Sequence, residues 1–93
     1  MFDELYQIIL KRKQERPQGS YTSELLVGGE DLILRKIGEE TLEVIFAAKS
    51  EGEQRLVEET SDLIYHLFVL LSYKKITLEQ VKDELRKRHD RNQ

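Results

Sequence analysis

The chain reads as an all-α protein of four to five helices, with two long antiparallel helices forming a bundle completed by dimerisation. Three observations carry this reading. A single proline and few β-branched runs leave little material for a sheet. Apolar residues recur at helical spacing through most of the 93 residues. The stretch Leu63-Ile-Tyr-His-Leu-Phe-Val-Leu-Leu71 is apolar almost all round, so its helix must be covered on more than one side. A chain this short buries only about two-thirds of its unfolded surface. Part of that helix is therefore expected to pack against a second copy, most simply in a two-fold homodimer.

The elements follow in order. Residues 2–16 repeat Phe2, Leu5, Tyr6, Ile9 and Leu10 on one face, an amphipathic helix that Pro17-Gln18-Gly19 ends. Residues 20–26 predict a short helix with Ser20 or Thr22 as its N-cap, closed by Gly28-Gly29. Residues 30–50 form the first long helix, with Leu32, Ile33, Ile37, Leu42, Val44, Ile45 and Ala48 as its apolar set. Gly52 punctuates, and residues 53–73 form the second. Thr77-Leu-Glu-Gln80 fits a capping box, so a last helix is expected from about 78 to 89. No repeat, low-complexity segment or linker interrupts this, and residues 1–93 read as one domain.

Composition sets bounds. There is no cysteine, hence no disulfide. No apolar run reaches transmembrane length, and the opening Met-Phe-Asp-Glu-Leu-Tyr lacks a signal-peptide layout, so a soluble cytoplasmic protein is expected, with no membrane partner. The net charge of −3 is unevenly spread. Residues 30–62 carry ten acidic and four basic side chains, while residues 74–93 carry seven basic and four acidic. An acidic middle argues against nucleic acid, which needs a continuous basic surface.

The acidic residues are clustered. Glu39, Glu40 and Glu43 share roughly one direction on the first long helix, and Glu58, Glu59 and Asp62 on the second. Like charges at this spacing repel, so stacking them beside an apolar core calls for a cation. Carboxylate oxygens suit Mg²⁺, with Mn²⁺ as an alternative. Zinc is not expected, because cysteine is absent and His66 and His89 lie far apart. Ions held this way orient water, polarise a phosphoryl group and stabilise a leaving oxygen, the three tasks of phosphoanhydride hydrolysis. The competing reading is a solvated acidic face, since glutamate is a good helix former.

Glu39-Glu40-x-x-Glu43 followed about fifteen residues later by Glu59-x-x-Asp62 resembles the MazG-like superfamily of all-α nucleotide pyrophosphohydrolases. Gly19-Ser-Tyr-Thr-Ser23, Lys36-Ile-Gly-Glu-Glu40, Ala47-Ala-Lys49, Asp62-Leu-Ile-Tyr-His66 and the last helix through His89 look most like its phosphoribosyl-ATP pyrophosphohydrolase family. The resemblance covers about residues 1–90. It implies Mg²⁺-dependent hydrolysis of phosphoribosyl-ATP, an early step of histidine biosynthesis, in a helical dimer. Carried over by position, Glu40, Glu43, Glu59 and Asp62 would be metal ligands. Glu39 and Glu40 are the catalytic candidates, Glu39 as a further ligand or as the base that orients water. Glu58 is expected at the surface or behind the ligands.

Tyr21, Thr22, Lys36, Lys49, Arg86 and Arg88 are the substrate-binding candidates. All but Lys49 have a plainer role. Tyr21, Thr22 and Ser23 can cap a helix, Lys36 can pair with Glu39, and Arg86, Lys87 and Arg88 can answer a helix dipole. His66, one turn after Asp62, is read foremost as a satisfied core histidine. Gly38 permits close approach of a helix or of substrate. A sister enzyme hydrolysing dNTPs or other nucleoside triphosphates is the alternative activity, and a non-catalytic helical dimerisation module the alternative of another class.

Overall fold

A computed structural model describes residues 1–16 and 18–92, with side chains described as far as His89. Pro17, expected to end the first helix, lies outside the described residues. Five α-helices follow one another: α1 (Phe2–Glu15), α2 (Tyr21–Gly28), α3 (Glu30–Phe46), α4 (Glu53–Tyr73) and α5 (Leu78–Asn92). Among the described residues there is no strand, and no helix is long and apolar enough to cross a membrane.

Two expected boundaries move by three residues or more. The first long helix was expected to run unbroken to residue 50, but α3 ends at Phe46 and continues as one wide π-helical turn, Ala47–Glu51. The Ala47 N–H reaches both the Glu43 and Val44 carbonyls, and the small Ala47-Ala48 pair leaves room for the backbone to widen. The last helix runs three residues past its expected end at 89, to Asn92. Elsewhere the local signals hold. Ser20 is the N-cap of α2, its hydroxyl accepting from the Ser23 N–H at 3.3 Å. The Thr77–Gln80 box forms in both directions, at 3.1 and 2.8 Å.

α3 and α4 form an antiparallel hairpin. Gly52 closes one end with φ near +94°, a conformation that costs an L side chain and costs glycine nothing. At the open end Lys74 pairs with Glu30. α1 and α2 cover one side of the hairpin, and the shared core joins Tyr6, Ile9, Leu25, Leu26, Ile33, Phe68, Val69 and Leu78. Ile9, Ile33 and Val69 have no exposed surface. Polar pins fix α1 against the end of α4. The Tyr6 hydroxyl donates to the Ile76 carbonyl, and the Lys13 ammonium donates to the Ser72 carbonyl at 2.5 Å. Phe2 and Tyr6 meet Phe68 edge to face, with centroids 5.6 and 5.9 Å apart.

α5 is anchored by its first turn, through buried Leu78 and a Lys82–Asp3 ion pair of 2.6 Å. Leu85 further along is 61% exposed. Ile33→Ala is expected to lower unfolding free energy by about 2–5 kcal/mol, because a filled site is emptied. Leu85→Ala should change it by no more than about 0.5 kcal/mol. Urea denaturation followed by far-UV circular dichroism measures both.

Candidate metal centre

The site forms where α3 and α4 face each other. On α3, Glu40 repeats with Ile33, Ile37, Val44 and Ala47 at spacings of three, four and seven, so it lies on the side turned toward α4. On α4, Glu59, Asp62 and His66 fall on one stripe at i, i+3 and i+7. The antiparallel hairpin brings the stripes together. Glu40, Glu59 and Asp62 each offer an oxygen, and these atoms lie within 4.8 Å of one another. Glu59 is buried, Glu40 half-buried and Asp62 exposed, so the cluster opens to solvent on the Asp62 side.

The remaining acidic residues lie around this trio. Glu43 is turned about 60° from Glu40, is exposed, and is not among the three whose oxygens converge. Glu39 is turned further and pairs with Lys36 at 3.6 Å. Glu58 points outward and accepts from Gln54 and Arg55. Its carboxyl is held below its ordinary range by the Gln54 and Arg55 hydrogen bonds.

An aromatic wall lines one side. The Asp62 carbonyl can only accept, so His66 Nδ1 carries the proton and donates to it at 2.7 Å. Nε2 shares a hydrogen bond with the Tyr21 hydroxyl at 2.8 Å. Both ring nitrogens are engaged, which leaves His66 a satisfied, buried residue rather than a ligand. Thr22 is buried and shares a hydrogen bond with the Tyr65 hydroxyl. Two consecutive residues of α2 therefore hold two consecutive residues of α4. This leaves the Tyr21 ring 44% exposed beside the carboxylates and stacked on Tyr65.

Electrostatics reflect the crowding. Burial pushes the Glu40 carboxyl up from its usual range. Asp62 and Glu59 add to the rise, while His66 and Lys36 oppose it. The Tyr21 hydroxyl is raised as well, by burial first and then by Glu40, Tyr65, Glu39 and Asp62.

The donor set fits a hard divalent cation. It consists of carboxylate oxygens, and Mg²⁺–O distances of about 2.1 Å put oxygens on opposite sides of an ion about 4.2 Å apart. A span of 4.8 Å closes to that with small side-chain rotations. The substrate candidates are more scattered. Lys36 is half-buried at the edge of the cluster, and Lys49 is exposed on the π-helical turn. Arg86 and Arg88 lie on α5 and pair within it, Arg86 with Asp83 at 2.6 Å and Arg88 with Glu84 at 3.1 Å. Two neighbours of the cluster escape the sequence reading. Arg55 donates to Glu59 at 2.5 Å, and its i, i+4 spacing was the available signal. Tyr65 lies in the Asp62–His66 segment that carries the resemblance, which was its available signal, though no role was assigned to it.

Comparison with known proteins gives a consistent result. Residues 2–89 match the family model described as phosphoribosyl-ATP pyrophosphohydrolase. A protein of Metallosphaera sedula named phosphoribosyl-ATP pyrophosphatase is 51% identical over 88 residues, 95% of each chain. Proteins of the same name from Limosilactobacillus fermentum and Clostridium acetobutylicum are 51% and 46% identical, over 92% and 98% of this chain and 81% and 83% of theirs.

Glu40 gives the pH prediction. A carboxyl whose pKa is raised by folding favours the fold while protonated and opposes it once ionised. Its contribution is complete below the ordinary carboxylate value and is lost as pH rises through the raised one. In the presence of chelator, Glu40→Gln should therefore raise Tm near neutral pH, with the gain vanishing as the wild-type carboxyl protonates. Melting curves across that range read it.

Proposed function

The chain belongs to the phosphoribosyl-ATP pyrophosphohydrolase family, and from that premise we propose that it hydrolyses phosphoribosyl-ATP to phosphoribosyl-AMP and pyrophosphate in histidine biosynthesis. The observation that carries this at the level of chemistry is the convergence of Glu40, Glu59 and Asp62 from two helices. Glu40, Glu59 and Asp62, with Glu43 one turn along at the rim, would hold Mg²⁺, and Mn²⁺ would substitute. When bound, the ion supplies the positive charge that lets an anionic triphosphate approach carboxylates and stabilises the leaving pyrophosphate.

The chain's own groups supply the rest. Water attacks between the α and β phosphates, and Glu39 or Glu40 is the carboxylate that takes its proton. Glu40 lies in the converging trio, close to where the water would be held. Lys36 offers a positive charge at the rim. The exposed Tyr21 ring offers a flat surface to the base or ribose. Thr22, buried against Tyr65, serves substrate by holding Tyr21 in place. Lys49, Arg86 and Arg88 are the proposed phosphate contacts, the two arginines across a dimer interface. The cytoplasm is the proposed place of work.

The proposed partner is a second copy. Leu34, Gly38, Leu42 and Ile45 share the face of α3 away from the core, and Leu34, Leu42 and Ile45 are 45–54% exposed. A Cβ built on Gly38 would meet no atom within 4 Å, so that face is open to a close-approaching helix. Leu67 and Val57 of α4 are exposed as well.

Three experiments follow. Pyrophosphate release from phosphoribosyl-ATP should far exceed release from a panel of dNTPs, and a dNTP preference overturns the substrate. Glu59→Gln and Asp62→Asn should each lower kcat at least about a hundredfold, since loss of a direct ligand exceeds loss of an outer-shell partner. Far-UV circular dichroism should stay unchanged in both. Sedimentation should give a dimer that Leu34→Glu with Ile45→Glu converts to monomer, and a monomeric wild type refutes the interface.

A further inference from the structure

Arg55 stands one turn before Glu59 on α4 and spans two carboxylates. Its Nη1 donates to Glu58 Oε1 and its Nη2 to Glu59 Oε1, both at 2.5 Å. The two partners differ in kind. The Glu59 side chain is 7% exposed and belongs to the converging trio, whereas that of Glu58 is 45% exposed and lies outside it. Gln54 also donates to Glu58, at 3.2 Å, which fixes that carboxylate as a separate resting place.

A guanidinium and a divalent cation drawn to the same carboxylate repel each other within a few ångströms. A buried carboxylate beside two others, with neither cation, is costly. Glu59 therefore needs one positive charge at a time. The fork of an arginine holds one carboxylate on each Nη, so it can release Glu59 and keep Glu58. Half of the Arg55 side chain is solvent-exposed, which leaves it space to move.

We propose that Arg55 is the resident counter-ion of the carboxylate cluster, covering Glu59 until a divalent cation binds and then withdrawing onto Glu58. This rests on the reading of the cluster as a divalent-metal site. It makes Arg55 a positioning residue that offsets the crowding of the three carboxylates and sets how tightly the cation is held.

The test is Mg²⁺ titration by calorimetry together with melting curves in chelator and in Mg²⁺, on wild type, Arg55→Gln and Lys36→Gln. Lys36→Gln removes a positive charge at the opposite rim, where Lys36 pairs with Glu39 rather than Glu59. In Arg55→Gln the Mg²⁺ Kd should fall about tenfold, as loss of a near charge implies. Its Tm in chelator should drop, and its rise on adding Mg²⁺ should exceed that of wild type. Lys36→Gln should tighten Mg²⁺ less than half as much. An unchanged or weaker Mg²⁺ affinity in Arg55→Gln overturns the proposal, as does an equal effect of Lys36→Gln, which would reduce it to bulk charge. An equal Tm loss with and without Mg²⁺ also overturns it, since that is an ordinary surface ion pair. If Arg55→Gln fails to fold in chelator, Arg55→Lys replaces it. That variant keeps the charge without the fork and should tighten Mg²⁺ by a smaller factor. Wild type that binds no Mg²⁺ refutes the metal reading itself, whereas binding with the Arg55 variants unchanged refutes only the role of Arg55.

Discussion

Burial of the Glu59 carboxylate between α3 and α4 is the constraint to which the surrounding structure answers. An ionised group withdrawn from water must be met by charge or by hydrogen bonds. Here it meets two further carboxylates, Glu40 and Asp62, and one guanidinium, that of Arg55. The arrangement stores repulsion at the helix interface, and burial of Glu40 adds to it. Such a site is poorly suited to stability alone. It is well suited to taking up a small divalent cation and, through it, a polyphosphate.

Everything that holds the hairpin in register also holds this geometry. Gly52 turns the chain at one end, and the Glu30–Lys74 pair ties the other. Buried Ile33 and Val69 fix the depth at which α3 and α4 approach, and Glu40 follows Ile33 by two turns on the same face. α2 adds a lateral brace through Tyr21 with His66 and Thr22 with Tyr65. Because His66 donates to the Asp62 carbonyl, the brace reaches the backbone of a carboxylate in the cluster. The Tyr21 ring and the Asp62 backbone are thus joined by one short chain of hydrogen bonds.

The other faces of the molecule are differently organised. The apolar residues on the outer side of α3, with Leu67 and Val57 on α4, remain exposed in a single copy. α5 projects from its anchored first turn, with its arginines balanced by acidic residues of the same helix. The exposed apolar residues are the ones on which the proposed dimer rests.

The sequence by itself determined the helices and the type of chemistry. Heptad-like apolar spacing, Gly29, Gly52, the Ser20 cap and the Thr77–Gln80 box act within a few residues, so they were legible without a fold. So was the presence of carboxylate pairs on two consecutive helices. The tertiary structure decided which of those carboxylates meet. Glu40 shares the buried stripe of α3 and converges with Glu59 and Asp62, while Glu43 and Glu39 rotate toward the rim. That selection depends on the rotation and depth of α3 against α4, which packing of Ile33 and Val69 sets and sequence spacing does not. The Tyr21–His66 brace was hidden for the same reason: it arises from a contact between segments far apart in the chain, where local propensity carries no information.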